Sequence, residues 1–133
     1  YAFGGLTSID FDTDGENLYV IHSSVSVGGR FQVTQINPET LTVLSTDTAP
    51  SGLKTDHGNA FIACGVLYAT HGEFYTDGTI NYAWKLGTGI EWDPGIPWDG
   101  MGYFTAAQYS GLDNVIYAYD SGFLLMYNPI WGP

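Results

Sequence analysis

Three short segments decide the fold of this chain because they recur at a constant spacing: Leu18-Tyr19-Val20-Ile21-His22, Leu67-Tyr68-Ala69-Thr70-His71 and Ile116-Tyr117-Ala118-Tyr119-Asp120. Leu18 to Leu67 is 49 residues, and Leu67 to Ile116 is 49 residues again. The three segments are rich in the β-branched and aromatic residues that are typical of strands, and a turn precedes each of them. The chain is therefore an internal repeat of short strands.

Further strands complete each repeat. A loop and another strand follow each segment, and the first two units add a fourth strand at 41–46 and 90–92. Four short strands with a period of about 40 to 50 residues are typical of a β-propeller blade. We predict an all-β fold, a partial β-propeller of antiparallel blades, and 133 residues divided by 49 gives about 2.7 blades. The predicted units, about 1–50, 51–98 and 99–133, form one incomplete domain, and a compact β-sandwich is the alternative.

Composition excludes several function classes. The formal net charge is -11, with only three basic residues, so phosphate-backbone binding is excluded as a primary role. The longest apolar run, 61–69, is too short to span a membrane. The single cysteine cannot form an internal disulfide. The opening residues lack the pattern of a signal peptide, so we expect the mature form or a fragment of a secreted protein.

The 49-residue spacing also aligns three polar residues, Asp10, Asn59 and Gln108, on the strand before each tyrosine segment. In a propeller the first strand of each blade lines the central channel, so these side chains are expected to converge. Oxygen donors that converge suit a hard cation such as Ca²⁺. The alternative is a network of polar side chains and water in the channel.

The segment Gly58-Asn59-Ala60-Phe61-Ile62-Ala63-Cys64-Gly65-Val66-Leu67-Tyr68 resembles the olfactomedin domain, with its Asn-Ala pair, its cysteine and its Gly-x-Leu-Tyr. Segments 9–21, 35–41 and 102–128 resemble the family in the same order, so the resemblance covers nearly the whole chain. It implies the C-terminal half of a five-bladed propeller, without the strand that helps to close the last blade in the family.

The resemblance also implies a buried Ca²⁺ site. Asp10 and Asn59 would bind through side chains, and Ala60 and Ala107 through backbone carbonyls. Gln108 stands where the family commonly has an aspartate, so the site loses negative charge and we expect weaker Ca²⁺ binding, or a water or monovalent ion instead. The resemblance further implies that Cys64 pairs with a cysteine near the start of the domain. From the residues alone, Cys64 is expected to be a buried thiol.

Other candidate sites are weaker. Residues 10–15 begin like an EF-hand loop, but Ile21 occupies the twelfth position, so we expect a hairpin turn at Asp14-Gly15. The candidate general bases are His22, His57 and His71, and the sequence lacks a Gly-x-Ser-x-Gly motif.

We therefore expect a non-enzymatic, secreted, extracellular module for protein–protein interaction, adhesion or matrix assembly. The alternative is a structural protein whose incomplete propellers complete one another into an oligomer or fibre. The expected partners are proteins or further copies of this chain, with neither nucleic acid binding nor membrane insertion.

Overall fold

The fold is all-β, and the prediction of a partial propeller is confirmed. The computed structural model describes residues 9–71, 78–98 and 104–130, with Phe104 described for its backbone alone. The strands form three antiparallel sheets, and the helical residues within these ranges are two short 3-10 turns, Val25–Val27 and Lys54–Asp56. No helix in these ranges is long and apolar enough to cross a membrane.

Each sheet is formed by strands that follow one another along the chain. The first sheet has the order β1-β2-β3-β4: β1 (Asp10–Thr13), β2 (Leu18–Ser23), β3 (Arg30–Ile36) and β4 (Val43–Leu53). The second has β5 (His57–Ala63), β6 (Val66–His71) and β7 (Thr79–Lys85), with two short strands paired to β7: β8 (Glu91–Trp92) and β9 (Ile96–Pro97). The third has β10 (Phe104–Ser110), β11 (Val115–Asp120) and β12 (Phe123–Tyr127).

The second sheet lies between the other two because both of its faces are apolar. Alternate residues of a strand point to opposite faces, so Ile62 and Phe61 serve two different cores. Ile62 belongs to the core shared with the first sheet, together with Tyr19, Ile21, Phe31, Val33, Leu67 and Trp84. Phe61 belongs to the core shared with the third sheet, together with Ile80, Trp98, Tyr109, Ile116 and Ala118. The sheets therefore stack face to face, as propeller blades do.

The repeated tyrosines occupy comparable places in the three sheets. Tyr19, Tyr68 and Tyr117 each lie near the start of the second strand. The first strands β1, β5 and β10 contact one another. The strands that were predicted to line the channel are thus the first strands through which the three sheets contact one another.

The outer strands differ from the predicted bounds. β4 continues to Leu53, beyond the predicted end at 46, so Pro50 lies within a strand. The outer edge of the second sheet is divided between β8 and β9, and Pro97 lies in β9. Both prolines are on strands at a sheet edge, where the missing N–H removes no ladder hydrogen bond.

Candidate cation site and uncovered sheet surfaces

Asp10 lies on β1 and the Asn59-Ala60 pair lies on β5, and these first strands of the first and second sheets contact each other. Asp10 begins β1 and pairs with Ile21. Asn59 lies at a register shift between His57 and Ala60, is 2% exposed, and its backbone N–H donates to the Thr70 hydroxyl at 3.0 Å. The bulge re-aims the local backbone, a feature that often occurs beside functional sites.

Gln108 lies at a different level of its ladder. In the first sheet Asp10 pairs with Ile21, and the equivalent residues two repeats (98 residues) later are Gln108 and Tyr119. Gln108 pairs with Tyr117 instead. The cause is the position of the hairpin turn. The turn of the first sheet spans 14–17, so the equivalent turn of the third sheet is expected at 112–115, but it spans 111–114. Gln108 is exposed and lines a cavity of about 570 Å³ with the turn at Asp14.

The donor chemistry at these strands fits a hard cation, with little charge to hold it. Asp10 supplies the one carboxylate of the predicted set, and Asn59, Gln108 and the Ala60 and Ala107 carbonyls supply neutral oxygens. Among the described residues, no three His, Cys, Asp or Glu side chains are grouped so that they could hold a metal. The Ca²⁺ site stays a prediction. Sequence reasoning missed Lys54, which is 2% exposed; burial lowers the pKa of Lys54, and the charge of Asp10 raises it.

The acidic segment after Asp10 forms a turn, as predicted. Asp14 accepts hydrogen bonds from the backbone N–H groups of Glu16 and Asn17, at 2.9 and 2.7 Å, and from the Tyr19 hydroxyl at 2.6 Å. Asp12 is buried and accepts from the N–H groups of Thr13, at 2.8 Å, and of Ile62, at 2.5 Å. Burial raises the pKa of Asp12 to about 7. These carboxylates hold the backbone, and Asp12 ties the first sheet to the second.

A second carboxylate links the same two sheets at their outer edge. Glu91 on β8 accepts hydrogen bonds from the Ser51 N–H (2.9 Å), the Ser51 hydroxyl (2.7 Å), the Gly52 N–H (3.1 Å) and the Tyr82 hydroxyl (2.5 Å). Burial raises the pKa of Glu91, but these hydrogen bonds outweigh it and lower the pKa below its usual value. Burial and Glu91 together raise the pKa of Tyr82. No local sequence pattern indicates the link between the two sheets, because Ser51 and Glu91 are 40 residues apart.

His57, one of the three candidate general bases, packs against aromatic rings. The ring centroid of His57 lies 5.4 Å from that of Phe31 and 5.2 Å from that of Tyr82. Burial lowers the pKa of His57. This environment favours a structural histidine.

Cys64 is exposed, so the expectation of a buried thiol was wrong. It occupies the two-residue turn between β5 and β6, where its φ is 51°. The strand that precedes it ends at Ala63, so the apolar pattern does not extend to the cysteine. The cysteine therefore lies at the surface of a turn and not within the apolar strand.

The third sheet has an uncovered face, which we call the end face. It is formed by Tyr119, Leu124 and Met126, which are 49, 69 and 68% exposed. Tyr119 pairs with Leu124, and Tyr117 pairs with Met126, so the four side chains share one side of the sheet. Among the described residues, β12 pairs with β11 alone. The third sheet thus presents both an apolar face and a strand edge.

An apolar cavity of about 470 Å³ lies beside β12, between the second and third sheets. The ring centroids of Trp98 and Tyr127 are 4.4 Å apart in its wall. None of the described side chains that line it is charged. The cavity adjoins the position that a fourth strand of the third sheet would take.

Comparison with known proteins places this arrangement in a family. A family model described as "Olfactomedin-like domain" matches residues 1–132. The chain is similar to the proteins named myocilin from rabbit (Oryctolagus cuniculus) and Homo sapiens, 33% identical in each case over 129 residues that cover 96% of this chain. It spans about a quarter of those relatives' length, 26% and 25%. The three stacked antiparallel sheets agree with the family match along residues 1–132, and the chain belongs to the olfactomedin-like domain family.

Proposed function

We propose that this chain is a secreted, extracellular, non-enzymatic module that binds other proteins, in cell adhesion or in the matrix. The observation that carries the proposal is the end face, where Tyr119, Leu124 and Met126 are exposed side by side. Contiguous exposed apolar residues, especially with an aromatic among them, are typical of protein interaction sites. Family membership supports the olfactomedin-type character of the module.

Self-assembly is the second candidate, and the edge of β12 favours it. The first and second sheets have strands beyond their third strand, whereas the described part of the third sheet ends at β12. An unpaired edge is a template for a strand from another polypeptide or another copy. The apolar cavity beside β12 would receive side chains of such a strand. A specific contact here should bury at least about 1,000 Å² in total.

The non-enzymatic character is supported by what the polar groups already do. His57 packs between aromatic rings, and the carboxylates of Asp12 and Glu91 each accept several hydrogen bonds within the protein. Groups held in this way are poor candidates for acid–base work on a substrate.

The exposed Cys64 is available for the disulfide that the family resemblance implies.

A Ca²⁺ ion is the proposed cofactor. Asp10, Asn59 and Gln108 would offer side-chain oxygens, and Ala60 and Ala107 backbone carbonyls. The ion would link the first strands of the three sheets, which contact one another. Its role here is structural: it would hold strands together and neutralise Asp10.

Charge substitutions on the end face test the functional proposal. The variant Leu124→Glu/Met126→Glu places two carboxylates on the end face, whereas the control Val25→Glu alters a side chain that is 97% exposed on the 3-10 turn of the first sheet. Light scattering over a concentration series reports self-association, and cross-linking in extracellular fluid followed by mass spectrometry reports other partners.

The two candidates predict different results. Self-assembly is supported if the chain self-associates, the end-face variant does not, and the Val25→Glu control still does. The interaction module is supported if the chain is a monomer that cross-links to extracellular proteins and the end-face variant loses these cross-links. A folded monomer without partners, or equal binding by both variants, would contradict a functional end face.

A further inference from the structure

The 49-residue repeat relates the end face to two sheet faces that are covered within the chain. Tyr19 of the first sheet packs in the core shared with the second sheet, and Tyr68 of the second sheet packs against the core shared with the third. Tyr117 is the next residue of this column, and its side chain lies on the same side of the third sheet as the end face. The end face is therefore the repeat of two faces onto which a following sheet packs.

The opposite faces of the sheets follow the same repeat. Three residues of the second sheet pack in the core shared with the first sheet: Ala60, Leu67 and Ala69. The residues 49 positions later pack in the core shared with the second sheet: Tyr109, Ile116 and Ala118. The residues 49 positions earlier lie on the first sheet: Phe11, Leu18 and Val20. By the repeat, this last set belongs to a face that packs onto a preceding sheet.

We call this side of the first sheet the start face and define it by five apolar residues: Phe11, Leu18, Val20, Ile36 and Val43. Phe11 pairs with Val20, and Leu18 pairs with Ile36, which pairs with Val43, so the five side chains share one side of the sheet. Phe11 and Val43 are 60 and 63% exposed. Three polar side chains beside them, those of His22, Thr34 and Thr46, form a hydrogen-bonded row with 2.9 Å between successive partners. The start face is therefore apolar, and these polar neighbours are already satisfied.

We propose that the start face of a second copy of this chain packs on the end face. The inference rests on the proposed self-assembly and names the surface that the end face receives. Such a contact repeats the packing of one sheet on the next that occurs twice within the chain. None of the side chains that define the two faces is charged, so two copies of net charge -11 meet there without burying a carboxylate. Because the contact joins two different faces, each pair of copies keeps one start face and one end face for further association or ring closure.

Light scattering over a concentration series tests each face by itself. Phe11→Glu/Val43→Glu places two carboxylates on the start face, and Leu124→Glu/Met126→Glu places two on the end face. Each double variant should weaken self-association at least about tenfold, because the contact would bury unpaired charges. Val25→Glu, at a side chain that is 97% exposed in a 3-10 turn, is the control that should associate like the wild type. Circular dichroism checks folding, and Val43→Glu alone is the second start-face variant if the double variant does not fold.

An equimolar mixture of the start-face and end-face variants tests whether the two faces bind each other. The start-face variant keeps an intact end face, and the end-face variant keeps an intact start face, so one contact can form between the two chains. The mixture should therefore give a species of twice the 14.5 kDa of one chain that does not grow further, whereas each variant alone stays a monomer.

The outcomes separate this inference from the proposed function. A mixture that stays monomeric, beside a wild type that self-associates, would overturn the pairing of the two faces and leave self-assembly to the edge of β12. Self-association that survives in the start-face variant would overturn the pairing as well. A wild type that is monomeric at every concentration would overturn self-assembly, and the cross-links that the end-face variant loses would then still support the interaction module.

Discussion

The substitution Gly52→Ala should destabilise this protein far more than its size suggests. A Cβ at residue 52 would lie 2.3–2.7 Å from ring and hydroxyl atoms of Tyr82. Tyr82 cannot move freely, because its ring stacks on Phe31 with centroids 5.7 Å apart and its hydroxyl donates to Glu91. Overpacking of this kind costs about 1–3 kcal/mol. Displacement of Tyr82 also weakens a hydrogen bond to a charged group, worth about 1.5–3 kcal/mol.

The two terms together predict a loss of about 2.5–6 kcal/mol in the free energy of unfolding. Urea denaturation followed by circular dichroism measures it. Gly89→Ala is the matched control, since a Cβ there meets nothing within 4 Å, and we expect a change within about 0.5 kcal/mol. If Gly52→Ala is as stable as Gly89→Ala, the close contact at Tyr82 does not determine the packing of the first two sheets, and the reasoning fails.

Three further predictions follow from the same contacts. Glu91→Gln should lower the melting temperature at pH 7. Hydrogen bonds depress the folded-state pKa of Glu91, so its carboxylate contributes stability above its usual pKa of 4.5, and this stability is lost as the pH falls. The melting temperatures of the variant and the wild type, measured from pH 7 to pH 3, should therefore converge. Asp12→Ala should cost about 1–3 kcal/mol in urea titrations, because the Ile62 N–H loses its acceptor, and an unchanged midpoint would contradict this link. Asp10→Ala should lower the melting temperature more in calcium than in chelator, whereas equal losses would favour a polar network without metal.

Much of the fold follows from local sequence. Turn residues and alternating apolar residues mark strands over a few positions, so the strands β2, β6 and β11 and their 49-residue spacing are readable without a structure. The hairpin turn at Asp14-Gly15 is readable for the same reason, since Asp14 accepts from N–H groups two and three residues ahead. Conversely, the length of β4 depends on its pairing with β3, so its end at Leu53 was not predicted.

The sequence by itself determined the class of fold, the repeat and the polar residues of the first strands, because these depend on neighbours along the chain. Only the tertiary structure decided that Gln108 pairs with Tyr117, that Lys54 is buried, and that Glu91 accepts hydrogen bonds from Ser51. Each of these depends on how one strand registers against another or on how two sheets meet. Such contacts join residues far apart in the chain, and no local spacing specifies the distance, burial or charge that they create.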